Sequence, residues 1–132
     1  MPEAALREES GGLTPNGPGW FIVNVAQALA WKHELAGTFV PFDNREHRFP
    51  HFGINIHVLQ PGEPNAKYHR EEAQEAFVVL SGECVLIVEG EERRLRAWDF
   101  FNCPPGVEHV IVGACTSRTI TRSNFCGASF RF

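Results

Sequence analysis

Between residues 51 and 112 the chain breaks at Gly or Pro roughly every eight to twelve residues, and the pieces between breaks are short and apolar or alternating. That rhythm limits the fold more than any other feature. Residues 51–59 set the pattern. Phe52, Ile54, Ile56 and Val58 fall on one side of a two-residue period, and His51, Gly53, Asn55, His57 and Leu59 on the other. Pro61 and Gly62 then turn the chain. Segments 76–80 and 84–88 read as strands joined through Ser81 and Gly82. Gly90 makes the next turn, into 93–96, and Pro104, Pro105 and Gly106 lead into 109–112. Strands at this spacing imply an all-β sandwich or barrel.

Upstream the signals are weaker. Residues 1–19 hold Gly11, Gly12, Pro15, Gly17, Pro18 and Gly19 with little to bury, so they are expected to be a flexible arm. Residues 20–132 are then a single domain. Segment 20–25 is apolar enough for a strand, 26–35 fits a short helix, and 37–42 an edge strand, because Pro41 lacks a backbone donor. The tail 113–132 has few aliphatic groups. A strand at 116–121 is expected at an edge, and the tail is expected to be held less firmly than the barrel.

At 132 residues the chain is long enough for one domain with a buried core. No apolar run reaches the length of a membrane span, and the first residues lack an apolar signal core, so a cytoplasmic protein is expected. All 16 acidic residues precede the tail, whose Arg118, Arg122 and Arg131 are its only charges. An acidic body argues against a nucleic-acid partner. Cys84, Cys103, Cys115 and Cys126 have irregular spacing without a C-x2-C pair, which reads as thiols in a reducing compartment.

Two segments carry the chemistry. In 62–82, Glu75 stands six residues before Gly82. In 98–113, Asp99, Pro104, Gly106 and His109 form a D-x4-P-x-G-x2-H pattern. Together they resemble the two motifs of the cupin superfamily, in order and correctly separated. The resemblance covers about residues 51–112 and implies a jelly-roll β-barrel with an N-terminal extension. Three departures stand out. The first motif's H-x-H pair is absent, and the two allowed spacings put either His69 and Glu71 or Tyr68 and Arg70 in its place. Trp98 stands where the family has Gly, and Gly113 where it has Asn.

His69, Glu71 and Glu75 are separated by even numbers, so on a regular strand they share a face. His109 joins them from a distant strand. Imidazole nitrogen with carboxylate oxygen suits divalent Fe, Mn, Ni, Co or Zn. The metal set read here is His69, Glu75 and His109, with Glu71 as a possible fourth ligand. The competing reading is of solvated carboxylates, a surface-loop His69 and a hydrogen-bonded core His109. Tyr68 is the candidate catalytic residue at the pocket mouth, and equally fits a packed aromatic. His57 is weighed as a solvent-facing or hydrogen-bonded histidine against a pocket residue, Asp99 as a turn former, and Cys84 and Cys103 as small buried groups. Three functions follow: a metal-dependent enzyme on a small polar molecule, such as a dioxygenase or isomerase; a non-catalytic small-molecule binder; or a degenerate cupin without metal. A homodimer is expected through the apolar segment 20–25, since an exposed strand edge commonly pairs with another chain.

Overall fold

The computed structural model describes residues 1–115 and the backbone of 128–131. In chain order the strands are β1 (Ala5–Glu9), β2 (Gly12–Asn16), β3 (Trp31–His33), β4 (Ala36–Pro41), β5 (Gly53–Val58) and β6 (Glu75–Val78). They continue as β7 (Glu83–Val88), β8 (Glu91–Arg96), β9 (Phe100–Cys103), β10 (His109–Gly113) and β11 (Ala128–Arg131). Strands β3-β4-β5-β11-β6-β9 make a six-stranded sheet, β10-β7-β8 a three-stranded one, and β1-β2 a hairpin. The fold is an all-β jelly roll, and the turn rhythm from residue 51 onward is where the sequence put it. Gly62, Gly82, Gly90 and Gly106 take positive φ at those turns.

The main core joins the two sheets. Leu59, Phe77, Val79 and Cys103 from the larger sheet and its extensions meet Cys84, Leu86 and Ile111 from the smaller. A second core lies around Ala28, Val40 and Ile56, with Val23, Val25, Phe42 and Leu80 against it. Strand alternation explains both. Ile56 sits in the second core and Leu59 in the first, so β5 carries its more aliphatic face away from the barrel interior. His57 shares the interior-facing side with Leu59.

Several upstream expectations are corrected. Segment 20–25 is not a strand. Trp20 makes an isolated bridge to Glu3, and Val23 and Val25 pack on the second core without joining a sheet. Segment 26–35 is not a helix either. It holds a 3-10 turn at Val25–Gln27, capped by the Asn24 side chain, and then β3. The weak helical period loses to pairing of Trp31 and Lys32 with β4. Strand β4 is therefore internal, flanked by β3 and β5, and Pro41 is tolerated as its last residue. Residues 5–16, inside the expected arm, form the β1-β2 hairpin, which docks where Leu29 N donates to Leu13 O at 2.9 Å.

The tail returns to the barrel. β11 pairs with β5 on one side and β6 on the other, an interior position that its few aliphatic residues did not suggest. Pairing uses backbone groups that every non-proline residue carries, so composition is a poor guide to it. The strand expected at 116–121, and Cys126, lie outside the described residues. At the open edge of the smaller sheet β8 is mostly charged, which discourages edge-to-edge pairing. No helix among the described residues is long and apolar enough to cross a membrane.

Both departures in the second motif have local explanations. Trp98 has φ 72, the left-handed region where the family's Gly costs nothing, and the residue is 77% exposed. At Gly113 a Cβ would come within 2.2 Å of Gln60 O, so no larger residue fits this backbone. Trp98→Gly should relieve the left-handed strain and raise unfolding stability by about 1 kcal/mol. Chemical denaturation that finds Trp98→Gly no more stable than the parent would show that the exposed indole has compensating contacts.

Candidate metal centre

Three elements deliver the side chains. Glu75 opens β6, in register with Cys103 of β9 and Arg131 of β11. His109 opens β10, in register with Val88 of β7. His69 lies in the connection between β5 and β6, outside any strand, so the even spacing of 69, 71 and 75 is not what aligns them. A two-way backbone bridge does so. His109 N donates to His69 O at 2.8 Å, and His69 N donates to His109 O at 3.2 Å. The two imidazoles then sit 5.0 Å apart, centroid to centroid. One ligand atom from each of His69, Glu75 and His109 lies within 4.8 Å of the others.

Both histidines present the same nitrogen. His69 Nδ1 contacts Lys67 O, and His109 Nδ1 lies 3.1 Å from Val107 O. A carbonyl accepts only, so in the neutral rings these contacts favour the proton on Nδ1 and leave a lone pair on Nε2. His109 Nε2 is buried 3.2 Å from Glu75 Oε2, an ion-pair distance when the imidazole is protonated. In the neutral ring two lone-pair atoms face each other at that distance, so a proton or a metal cation between them is favoured. A divalent cation with a nitrogen and oxygen donor set meets that requirement.

The surroundings are apolar. His109 has no exposed surface, and its ring stands edge-on to Phe77 at 5.3 Å and to Phe101 at 6.0 Å. Burial pushes the His109 imidazole down. The Glu75 carboxylate, the Val107 carbonyl and more distant Glu71 outweigh it, and the balance lies above the ordinary value. Burial drives the Cys103 thiol up to about 11, helped by Glu75 and Glu89, so it stays protonated at neutral pH. Burial also lowers His57, against a smaller opposing pull from Glu75, which favours the neutral imidazole. His57 packs on Phe39, its cross-strand neighbour, at 6.3 Å. Of the two readings of His57, the structure favours the interior one.

The remaining candidates divide. Glu71 Oε1 approaches His69 Nε2 at 3.7 Å but is not among the three mutually close ligands. Tyr68 is outside the cluster too. Its hydroxyl accepts from Gly90 N at 3.0 Å, at the β7-β8 turn, and the residue is 44% exposed. Asp99 is a turn former as expected, its Oδ2 accepting from Arg96 N at 2.9 Å. Sequence reasoning missed the role of Cys103, whose Sγ lies 3.2 Å from His109 Nδ1. Its position six residues before His109, with the Pro104–Gly106 turn between, was the available signal.

Comparison with known proteins agrees with this fold. A family model described as the cupin domain matches residues 55–117. A polyketide cyclase, RemF from Streptomyces resistomycificus, superposes with a TM-score of 0.65 at 15% identity, over 83% of this chain and 77% of that one. An RmlC-like cupin from Shewanella frigidimarina superposes with a TM-score of 0.62 at 17% identity, over 83% and 86%. At those identities the likeness establishes the fold alone. Among curated proteins, human syntaxin-16 is 30% identical over 98 residues, which is 70% of this chain. The chain spans only 29% of the length of that protein.

Proposed function

We propose that this chain, which belongs to the cupin superfamily, is a metal-dependent enzyme that holds one divalent ion through His69, Glu75 and His109 and acts on a small polar molecule. The observation that carries this reading is the buried approach of His109 Nε2 to Glu75 Oε2 at 3.2 Å, with His69 beside it. Divalent Fe, Mn, Ni, Co and Zn all suit the donor set, and Glu71, next to His69, is the candidate fourth ligand. Bound there with open positions, such an ion supplies Lewis-acid or oxygen chemistry, as an isomerase or a dioxygenase requires.

The chain's own residues do the rest. Phe77 and Phe101 keep water from the inner side of His109. His57, neutral and on the interior-facing side of β5, can donate or accept a hydrogen bond to a ligand in the barrel. Cys103 is a free thiol, which suits a reducing compartment such as the cytoplasm. We also infer a homodimer. Phe21, Ile22, Phe49 and Phe52 line an apolar cleft of about 450 Å³, and Ile22 is 77% exposed.

Protein dialysed against each metal and freed of excess should retain one ion per chain. His69→Ala and His109→Ala should each abolish retention while circular dichroism still reports the barrel, and Glu71→Gln should do less. Protons compete for Nε2. Binding should therefore weaken as pH falls, by about tenfold per unit for each proton displaced. Because the Glu75 carboxylate and the Val107 carbonyl hold the His109 imidazole above its ordinary value, its share of that loss begins at a higher pH than for a free imidazole. Much less than one ion per chain across all five metals would sink the reading.

Light scattering should give the mass of two chains, and Ile22→Lys should shift it to one. A monomer mass for the unmodified protein at micromolar concentration would rule the dimer out.

A further inference from the structure

The back of the His109 ring carries a group that the metal reading does not use. Cys103 is 2% exposed, and its Sγ stands 3.2 Å from His109 Nδ1. The same sulfur lies 3.8 Å from both Val107 O and Pro104 O. Val107 O is itself 3.1 Å from Nδ1. The three groups fit one arrangement. Nδ1–H donates toward the Val107 carbonyl and the sulfur, and the thiol proton goes to a carbonyl of the turn. Sulfur, with lone pairs as well as a proton, can sit between a donor and an acceptor as an aliphatic side chain cannot.

The opposite edge of the ring gives this arrangement its consequence. His109 Nε2 faces the Glu75 carboxylate at 3.2 Å. If the imidazole proton moved from Nδ1 to Nε2, it would face that carboxylate, and the lone pair would be lost as a metal donor. Whatever holds the proton on Nδ1 therefore keeps the site able to bind a cation. Backbone and side-chain acceptors behind a ligating histidine commonly have this effect. Here one of them is a thiol, supplied from β9 in register with Glu75 itself.

We propose that Cys103 is a positioning residue for the metal site: with the Val107 carbonyl it holds the His109 proton on Nδ1 and so keeps Nε2 as a donor toward Glu75. The proposal rests on the metal reading for its consequence, but its immediate effect is on the metal-free protein. Cys103→Val keeps the size and apolar packing and removes the polar sulfur. Cys103→Ser keeps a group that can accept and donate and gives up some packing.

The test joins two measurements on the full chain. In the metal-free protein at alkaline pH, where the imidazole is neutral, nitrogen-15 NMR should find His109 in the Nδ1–H form in the parent and in Cys103→Ser. Cys103→Val should show a clear share of the Nε2–H form. Zinc or cobalt titrated into each protein should bind about tenfold more weakly to Cys103→Val, and within a few fold of the parent to Cys103→Ser. A role in packing alone gives the reverse order, with Val matching the parent and Ser weaker, and that result overturns the proposal. Unchanged tautomer and affinity in Cys103→Val overturn it as well, while leaving the metal site in place. A tautomer change in Cys103→Val with no metal bound by the parent would instead uphold the positioning role and remove the metal reading.

Discussion

The meeting of His109 Nε2 and Glu75 Oε2 at 3.2 Å, inside apolar walls, is the constraint on which the site depends. Each atom opens a different strand, and the two strands belong to different sheets. Closing the jelly roll over its main core therefore drives a carboxylate and an imidazole together. Apolar burial in Phe77, Leu86, Ile111 and their neighbours supplies the driving force. The polar pair is carried along, at a cost that a bound cation would offset. A barrel built this way holds its site tightly, because loosening the pair means separating the sheets.

His69 is attached differently. It lies on a long connection and reaches the site only because its backbone pairs with that of His109 in both directions. That short bridge extends the β10 edge by one residue pair and substitutes for a strand. Nearby, Asn65 N and its side-chain Oδ1 bond the Ile111 backbone, and Gly106 N donates to Glu71 O. The connection is thus tied down at several points along its length. Precise ligand placement from a loop requires this kind of support.

The sequence made the barrel legible because strand alternation and turn chemistry are local properties. Residues 53–58, 83–88 and 109–113 need no knowledge of their partners to read as strands. His109 and Glu75 were readable from motif spacing, since the Pro104–Gly106 turn and Gly82 fix where the chain reverses. What was not readable depended on contacts far apart in sequence. Segment 20–25 looks like a strand by composition, yet its Val23 and Val25 pack on Ile56 and Val40 without joining a sheet. Strand β11 has a weak composition and still takes an interior place, because two distant strands accept its backbone. His69 and Glu71 share a parity that suggested a common face, but the chain there is not a strand. Tyr68 was placed near the mouth by its position next to His69, while its hydroxyl is engaged at Gly90.

The central claim is that one cation is shared by three side chains brought from two sheets and a loop. Anomalous diffraction from crystals of the zinc- or cobalt-loaded protein tests it most directly. One peak per chain is expected, with His69 Nε2, His109 Nε2 and a Glu75 oxygen each about 2.0–2.2 Å from it. A peak elsewhere on the chain, or ligation through Nδ1 of either histidine, would contradict it.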